Sequence, residues 1–325
     1  MRLILTSISC AVLMAACSTQ LAATNATPEE TSADISIDQA QLLDDLRILS
    51  ADNMQGRGAG SEGAALARAY IIDRYEEIGI SPIGSDFESE FIFDVRGGEG
   101  AQAPGVNIIG QIEGTSDSDH VMVVSAHYDH LGKRGGQIYN GADDNASGVA
   151  AMLAIAAEFA ENPPVHDVIF VALDAEEHGL LGAYFFVAEP PVEQDNIVFN
   201  LNLDMVAMST DRILWAVGTY HYPSLVPLVE TVASRSSVNL PMGFDEPTEV
   251  PGGDWTLLTD SGAFHQAGIP FIYLGVDFHP HYHQPTDTYE NMTLDFFQDA
   301  SETIVDFARE ADVRLSDIAE AEGRG

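Results

Sequence analysis

Four runs of this chain are short, β-branched and apolar on both faces: Val121 to Ser125, Val168 to Leu173, Ile197 to Leu203 and Phe271 to Val276. A strand that is apolar on both faces must be covered on both, which restricts the chain to a sheet held between layers of helix. Helical patterns lie between some of the runs, notably Ser147 to Glu161, which Pro163-Pro164 stops. Strands alternating with helices predict an α/β fold class: one domain with a central, largely parallel mixed sheet and helices on both faces. Two further helices are expected at its margins. One opens at Ser61-Glu62, carries Leu66, Ala69, Tyr70, Ile72 and Ile78 on its apolar side, and closes on Gly79. The other runs from a Thr293 cap to Ala311, with Phe296, Phe297, Ala300, Ile304 and Phe307 as its buried stripe.

With 325 residues and 46% hydrophobic content, the chain has enough apolar material for a large core. Met1-Arg2, the apolar stretch Leu3 to Met14 and the small residues Ala15-Ala16 read as a signal peptide over 1–16, which makes Cys17 the mature N-terminus. A cysteine there resembles the lipobox of bacterial lipoproteins. Residues 17–36 are rich in Ser, Thr and Ala and read as a flexible tether, followed by the domain at 37–312 and an acidic tail at 313–325. The expected location is therefore the periplasmic face of a bacterial membrane, as a lipoprotein, or the exterior. The membrane is touched only through the N-terminal lipid. The other cysteine, Cys10, lies within the signal, so the mature chain has no disulfide, and core and metal must provide stability.

Acidic residues number 51 against 13 basic ones, for a net charge of −38, and Lys133 is the single lysine. That balance excludes nucleic acid as a partner and points to a saline habitat in which counterions screen self-repulsion.

The chemistry-bearing residues follow the apolar runs. His127-Tyr-Asp129 follows the first, Asp174-Ala-Glu176-Glu177-His178 the second and Asp204-Met205 the third, while Asp143-Asp144-Asn-Ala-Ser147-Gly148 opens a helix. The carboxyl ends of strands in an open α/β sheet form its ligand crevice, so these segments meet at one edge. Clustered carboxylates repel one another unless a cation compensates them, which points to metal. Asp143 to Gly148 matches the start of a calcium loop, but the twelfth position is Ala154 rather than Glu, and the match fails. Glu176-Glu177 allows one carboxylate to bind metal while its neighbour acts as base. In His279-Pro-His281-Tyr-His283, each imidazole is a candidate ligand by spacing.

Taken together, these motifs resemble the co-catalytic two-zinc exopeptidases, the family that contains bacterial secreted leucyl aminopeptidases, glutamate carboxypeptidase and glutaminyl cyclase. The resemblance runs from about Leu42 to Phe307, with Gly56-Arg57 and Gly268-Ile-Pro270 as weaker echoes. It implies two zinc ions, with His127 and Asp204 on one, Glu177 and His283 on the other and Asp144 bridging them. By the same resemblance Glu176 is the general base, and Asp129 orients His127. The implied activity is aminopeptidase hydrolysis of peptide substrates, in which zinc acidifies a water and polarises the scissile carbonyl. Glutaminyl cyclisation or carboxypeptidase activity on the same scaffold, and a catalytically inactive binding lipoprotein, are the alternatives. Thr259-Asp260-Ser261 matches the family's Ser-Asp-His stretch only loosely. Neither a serine-hydrolase elbow nor a phosphate loop occurs in the sequence.

Overall fold

A computed structural model describes residues 37–95 and 100–325. The expected signal peptide and tether lie outside the described residues. The strands are β1 (Ser81–Pro82), β2 (Glu88–Asp94), β3 (Gln102–Ile112), β4 (Val121–His127), β5 (Gly132–Arg134), β6 (Gln137–Tyr139), β7 (Asp167–Leu173), β8 (Ile197–Leu203), β9 (Trp215–Val217) and β10 (Phe271–Gly275). The helices are α1 (Gln39–Leu49), α2 (Glu62–Ile78), α3 (Gly148–Glu161), α4 (Leu181–Ala188), α5 (Val226–Ala233), α6 (Ser261–Gln266), α7 (Leu294–Val313) and α8 (Leu315–Glu322).

The main sheet has the order β1-β3-β7-β4-β8-β10-β9, with β2 also paired to β3. Its four central strands, β7, β4, β8 and β10, are the four apolar runs, and they pair in parallel. The strands added outside them, β3 on one flank and β9 on the other, are antiparallel. Side chains of β4 and β7 alternate between two cores, as the strand period requires: Val124 and Phe170 pack beneath α3 and α7, whereas Val123 and Val171 pack beneath α4 and α6. In β8 a register shift after Ile197 interrupts the alternation, so Ile197 joins the second core while Leu201 joins the first. A separate hairpin, β5–β6, stands off the main sheet.

The α7 stripe is buried as expected, yet Thr293 makes no capping hydrogen bond with its side chain. The buried face of α2 is rotated from the expected one: Leu66 is 41% exposed, Tyr70, Ile72 and Ile78 pack only partly buried at the margin, and Gly63, Ala64, Ala67, Ile71 and Tyr75 face inward. Small residues allow the close approach that decides this, because a Cβ on Gly63 would lie 2.3 Å from the Met54 carbonyl oxygen. The segment expected as an acidic tail instead forms α8, which buries Leu315, Ile318 and Ala319. Beyond it, Arg324 donates to the carbonyls of Gln194, Ile197 and Gly268.

Candidate metal centre

The predicted site residues meet at the carboxyl ends of the parallel strands. His127 is the last residue of β4, Glu176 and Glu177 form a 3-10 turn after β7, and Asp204 follows β8. Asp144 lies in the irregular turn before α3, and His283 in the loop after β10. Three of these turns pass through left-handed backbone at residues other than glycine: Ala175 (φ 58°), Met205 (φ 57°) and His283 (φ 55°). Such conformations are costly and persist where surrounding structure over-determines them, a pattern that clusters at functional sites.

Asp144 is the centre of the cluster. Its Oδ1 lies 3.4 Å from Nε2 of His127, which is also 3.3 Å from Asp204 Oδ1. Its Oδ2 lies 3.1 Å from Nε2 of His283, which is also 3.4 Å from Glu177 Oε2. The carboxylate therefore faces one imidazole–carboxylate pair with each oxygen. A third imidazole, His130, was not singled out from sequence although it ends a His-x-x-His spacing with His127. Its Nδ1 is 2.8 Å from Glu177 Oε1 and 3.6 Å from Asp144 Oδ2.

Surrounding groups hold these side chains in place. His127 Nδ1 is 3.1 Å from the Asp129 main-chain carbonyl, while the Asp129 carboxylate stands 3.7 Å away and accepts the Glu176 N–H at 3.0 Å. One residue thus touches both the first imidazole and the expected base. Behind Asp204 runs a chain of hydrogen bonds. Thr259 donates to Asp204 at 2.7 Å, Asn202 donates to Thr259, and Ser125 donates to Asn202. Asp143, next to Asp144, accepts from Ala207 N–H and lies 2.9 Å from His279 Nε2.

The electrostatics of the cluster are those of a site that needs positive charge. Burial pushes the Glu176 carboxyl well above its usual range, more than the nearby His127 lowers it. Buried Asp260, both of whose oxygens lack a hydrogen-bond partner, is likewise pushed up to about 8. Burial would favour a neutral ring at His127, but Asp204 and Glu176 outweigh it and raise its pKa well above 6.5. Glu177 Oε1 and both His130 ring nitrogens are buried without a hydrogen bond, despite the 2.8 Å approach of Glu177 to His130. The Glu177 oxygen and the unprotonated nitrogen of a neutral His130 ring are available to a cation. Two donor sets have ligand atoms lying within 4.8 Å of one another, His127/Asp144/Asp204 and His130/Asp144/Glu177, and they share Asp144. Mixed imidazole and carboxylate donors around a shared carboxylate fit two borderline divalent ions such as zinc.

The cluster forms the floor of a cleft of about 350 Å³. Trp255, Leu258, Phe278 and Tyr282 supply an apolar wall, with Tyr282 stacked on His283 at 3.9 Å. Tyr128 and Phe264, the other aromatics near these motifs, are buried. Trp255 carries no motif signal, because its loop has no periodicity.

Fold and donor cluster together define an α/β protein built around a two-cation centre at the carboxyl edge of its sheet. Residues 107–308 match peptidase family M28, and the chain belongs to that family. It is similar to the aminopeptidase YwaD of Bacillus subtilis, with 30% identity over 218 residues that cover 63% of this chain and 44% of that protein. The chain spans about half or less of the length of the first curated relatives it matches. The crystal structure of a zinc aminopeptidase from Bacillus subtilis superimposes with a TM-score of 0.68 at 16% identity, covering 85% of this chain and 96% of that one. A Bacteroides thetaiotaomicron glutaminyl cyclase bound to N-acetylhistamine gives 0.67 at 19% identity, over 83% of this chain and 97% of the other. At these identities the likeness is one of fold.

Proposed function

We propose that this protein is a zinc-dependent aminopeptidase that removes N-terminal residues from peptides. The observation that carries the reading is Asp144, whose two oxygens face His127 and His283 on opposite sides beside the half-buried Glu176. In this reading His127 and Asp204 hold one zinc, Glu177 and His283 hold the other, and Asp144 holds both. Two such ions supply an acidified water and a Lewis acid for the scissile carbonyl. Glu176 takes the proton of the attacking water and passes it to the departing amine. The Asp129 carbonyl accepts from Nδ1–H of His127, which leaves Nε2 free for metal, and its carboxylate fixes the Glu176 main chain. His130 stands beside Glu177, its Nδ1 2.8 Å from Oε1, within reach of the same ion.

Purified protein loaded with zinc should release N-terminal residues from some members of a varied peptide panel. If it releases none, and instead cyclises N-terminal glutamine with one zinc bound, the cyclase reading replaces this one. Export and lipid attachment at Cys17 belong to the same proposal. Labelled palmitate should be incorporated in a bacterial host and lost in Cys17→Ala.

A further inference from the structure

The charge of this chain is very uneven around the cleft. In a protein of net charge −38, its only lysine is followed directly by an arginine, and both project from the β5–β6 hairpin. Among the described residues, every other cation either pairs with a carboxylate or, like Arg57 and Arg324, donates to main-chain carbonyls. Lys133 and Arg134 do neither fully. Lys133 gives one hydrogen bond to the neutral Gln55 side chain at 2.7 Å, and Arg134 gives one from Nε to the Leu131 carbonyl at 3.1 Å. The outer nitrogens of the Arg134 guanidinium have no partner among the described residues, and both side chains are exposed.

The hairpin is held where it stands. Gly135 and Gly136, at φ 60° and 80°, make the two-residue turn that suits a tight hairpin, with open space around them. At its base a Cβ on Gly56 would lie 2.3 Å from the Tyr139 carbonyl oxygen and 2.7 Å from that of Gly132, so the strands rest directly on the Asp52–Arg57 turn. Lys133 and Arg134 line a cavity of about 350 Å³ with His130, Glu177 and His178. Glu177 lines both this cavity and the main cleft. The two spaces adjoin at a residue of the metal cluster. The main cleft is walled by apolar groups that suit a side chain, and the adjoining cavity holds two exposed cations that suit an anion, with Glu177, on the metal cluster's side, as its one carboxylate.

We infer that Lys133 and Arg134 bind a carboxylate of the substrate on the leaving-group side of the scissile bond. An anionic group is repelled by the acidic surface elsewhere and is drawn to these two cations, with the free guanidinium edge able to grip it in two places. The carboxylate comes from the C-terminus of a short peptide or from an Asp or Glu side chain in a longer one. This inference rests on the aminopeptidase reading and deepens it by naming the substrate class.

Four substrates at low ionic strength test it: Leu-Gly-Gly against its C-terminal amide, and Leu-Glu-Gly-amide against Leu-Gln-Gly-amide. The carboxylate member of at least one pair should be preferred by about tenfold, through KM rather than kcat, with the preference shrinking as salt screens the contact. A gain confined to the first pair identifies the C-terminus as the source, and one confined to the second identifies the side chain. The K133Q/R134Q variant should lose the preference and keep its activity on the amides. Equal rates for acid and amide in wild-type enzyme, or a preference that survives in the variant, overturn the inference while leaving aminopeptidase activity intact. The N-terminal residue of all four is exchanged for the one the varied panel shows to be released best, and failure on the whole panel overturns both readings.

Discussion

Asp287 holds Asp144 from behind: its Oδ2 accepts the Asp144 main-chain N–H at 3.2 Å, and its Oδ1 accepts that of Asp143 at 2.9 Å. A buried carboxylate with both oxygens engaged fixes the turn that carries Asp144, the proposed shared ligand. Replacing it by Asn turns one acceptor into a donor aimed at an N–H. Asp287→Asn should cost about 1–3 kcal/mol of stability and lower zinc affinity by roughly 10–100-fold. Denaturant melts and a zinc titration read the two effects separately, and unchanged affinity would show that the turn holds its shape unaided.

Zinc should displace protons when it binds. In the metal-free protein burial disfavours the His283 imidazolium, but hydrogen bonds to Asp144 and Glu177 prevail and raise its pKa to about 10; His127 is raised as well. Both rings are therefore protonated at neutral pH, and affinity should climb with pH across the range from about 6 to about 8. The same shift gives the metal-free protein stability that is full below 6.5 and is lost as pH rises toward about 10. Calorimetric zinc titrations in two buffers of different ionisation enthalpy report the protons released. A pH-independent affinity would contradict the assigned protonation.

Glu176→Gln keeps the shape of the side chain and removes the base. Turnover should fall by roughly a hundred- to ten-thousand-fold while metal content stays that of the wild type. Loss of zinc together with activity would make Glu176 a ligand instead.

Arg57 is fully buried and donates to the carbonyls of Leu49, Tyr128, Asn140 and Gly141, which ties α1 to the loops that carry the site. Burial lowers its pKa to about 10 against the pull of Asp287 and Asp144, so it remains charged at neutral pH. Arg57→Met should cost upward of about 3 kcal/mol, because each stranded carbonyl costs about 1 kcal/mol or more. Arg57→Lys should fall between the two, since one ammonium cannot span the four acceptors. Chemical denaturation with a constant slope would measure both, and a loss below about 1 kcal/mol would mean that water replaces the guanidinium.

By itself the sequence determined the central sheet and the place of its chemistry. Strands buried on both faces must be apolar throughout, so β4, β7, β8 and β10 are visible as runs, and the residues that follow them fall at one edge by topology. The α7 stripe was legible for a similar reason: a helix packed along one side repeats its apolar residues at a regular period. Where that period is weak the reading slipped, as in α2, whose inner face is set by small residues that allow close approach rather than by large ones.

Only the tertiary structure decided which polar atom meets which. His130 reaches Glu177, the carbonyl rather than the carboxylate of Asp129 meets His127, and Thr259 supports Asp204, all through non-periodic turns. Several of those turns are left-handed, and contacts far apart in sequence hold them so. Burial patterns are written residue by residue, because each side chain answers to water locally; hydrogen-bond partners are chosen by the whole fold, because they depend on where distant backbone comes to rest.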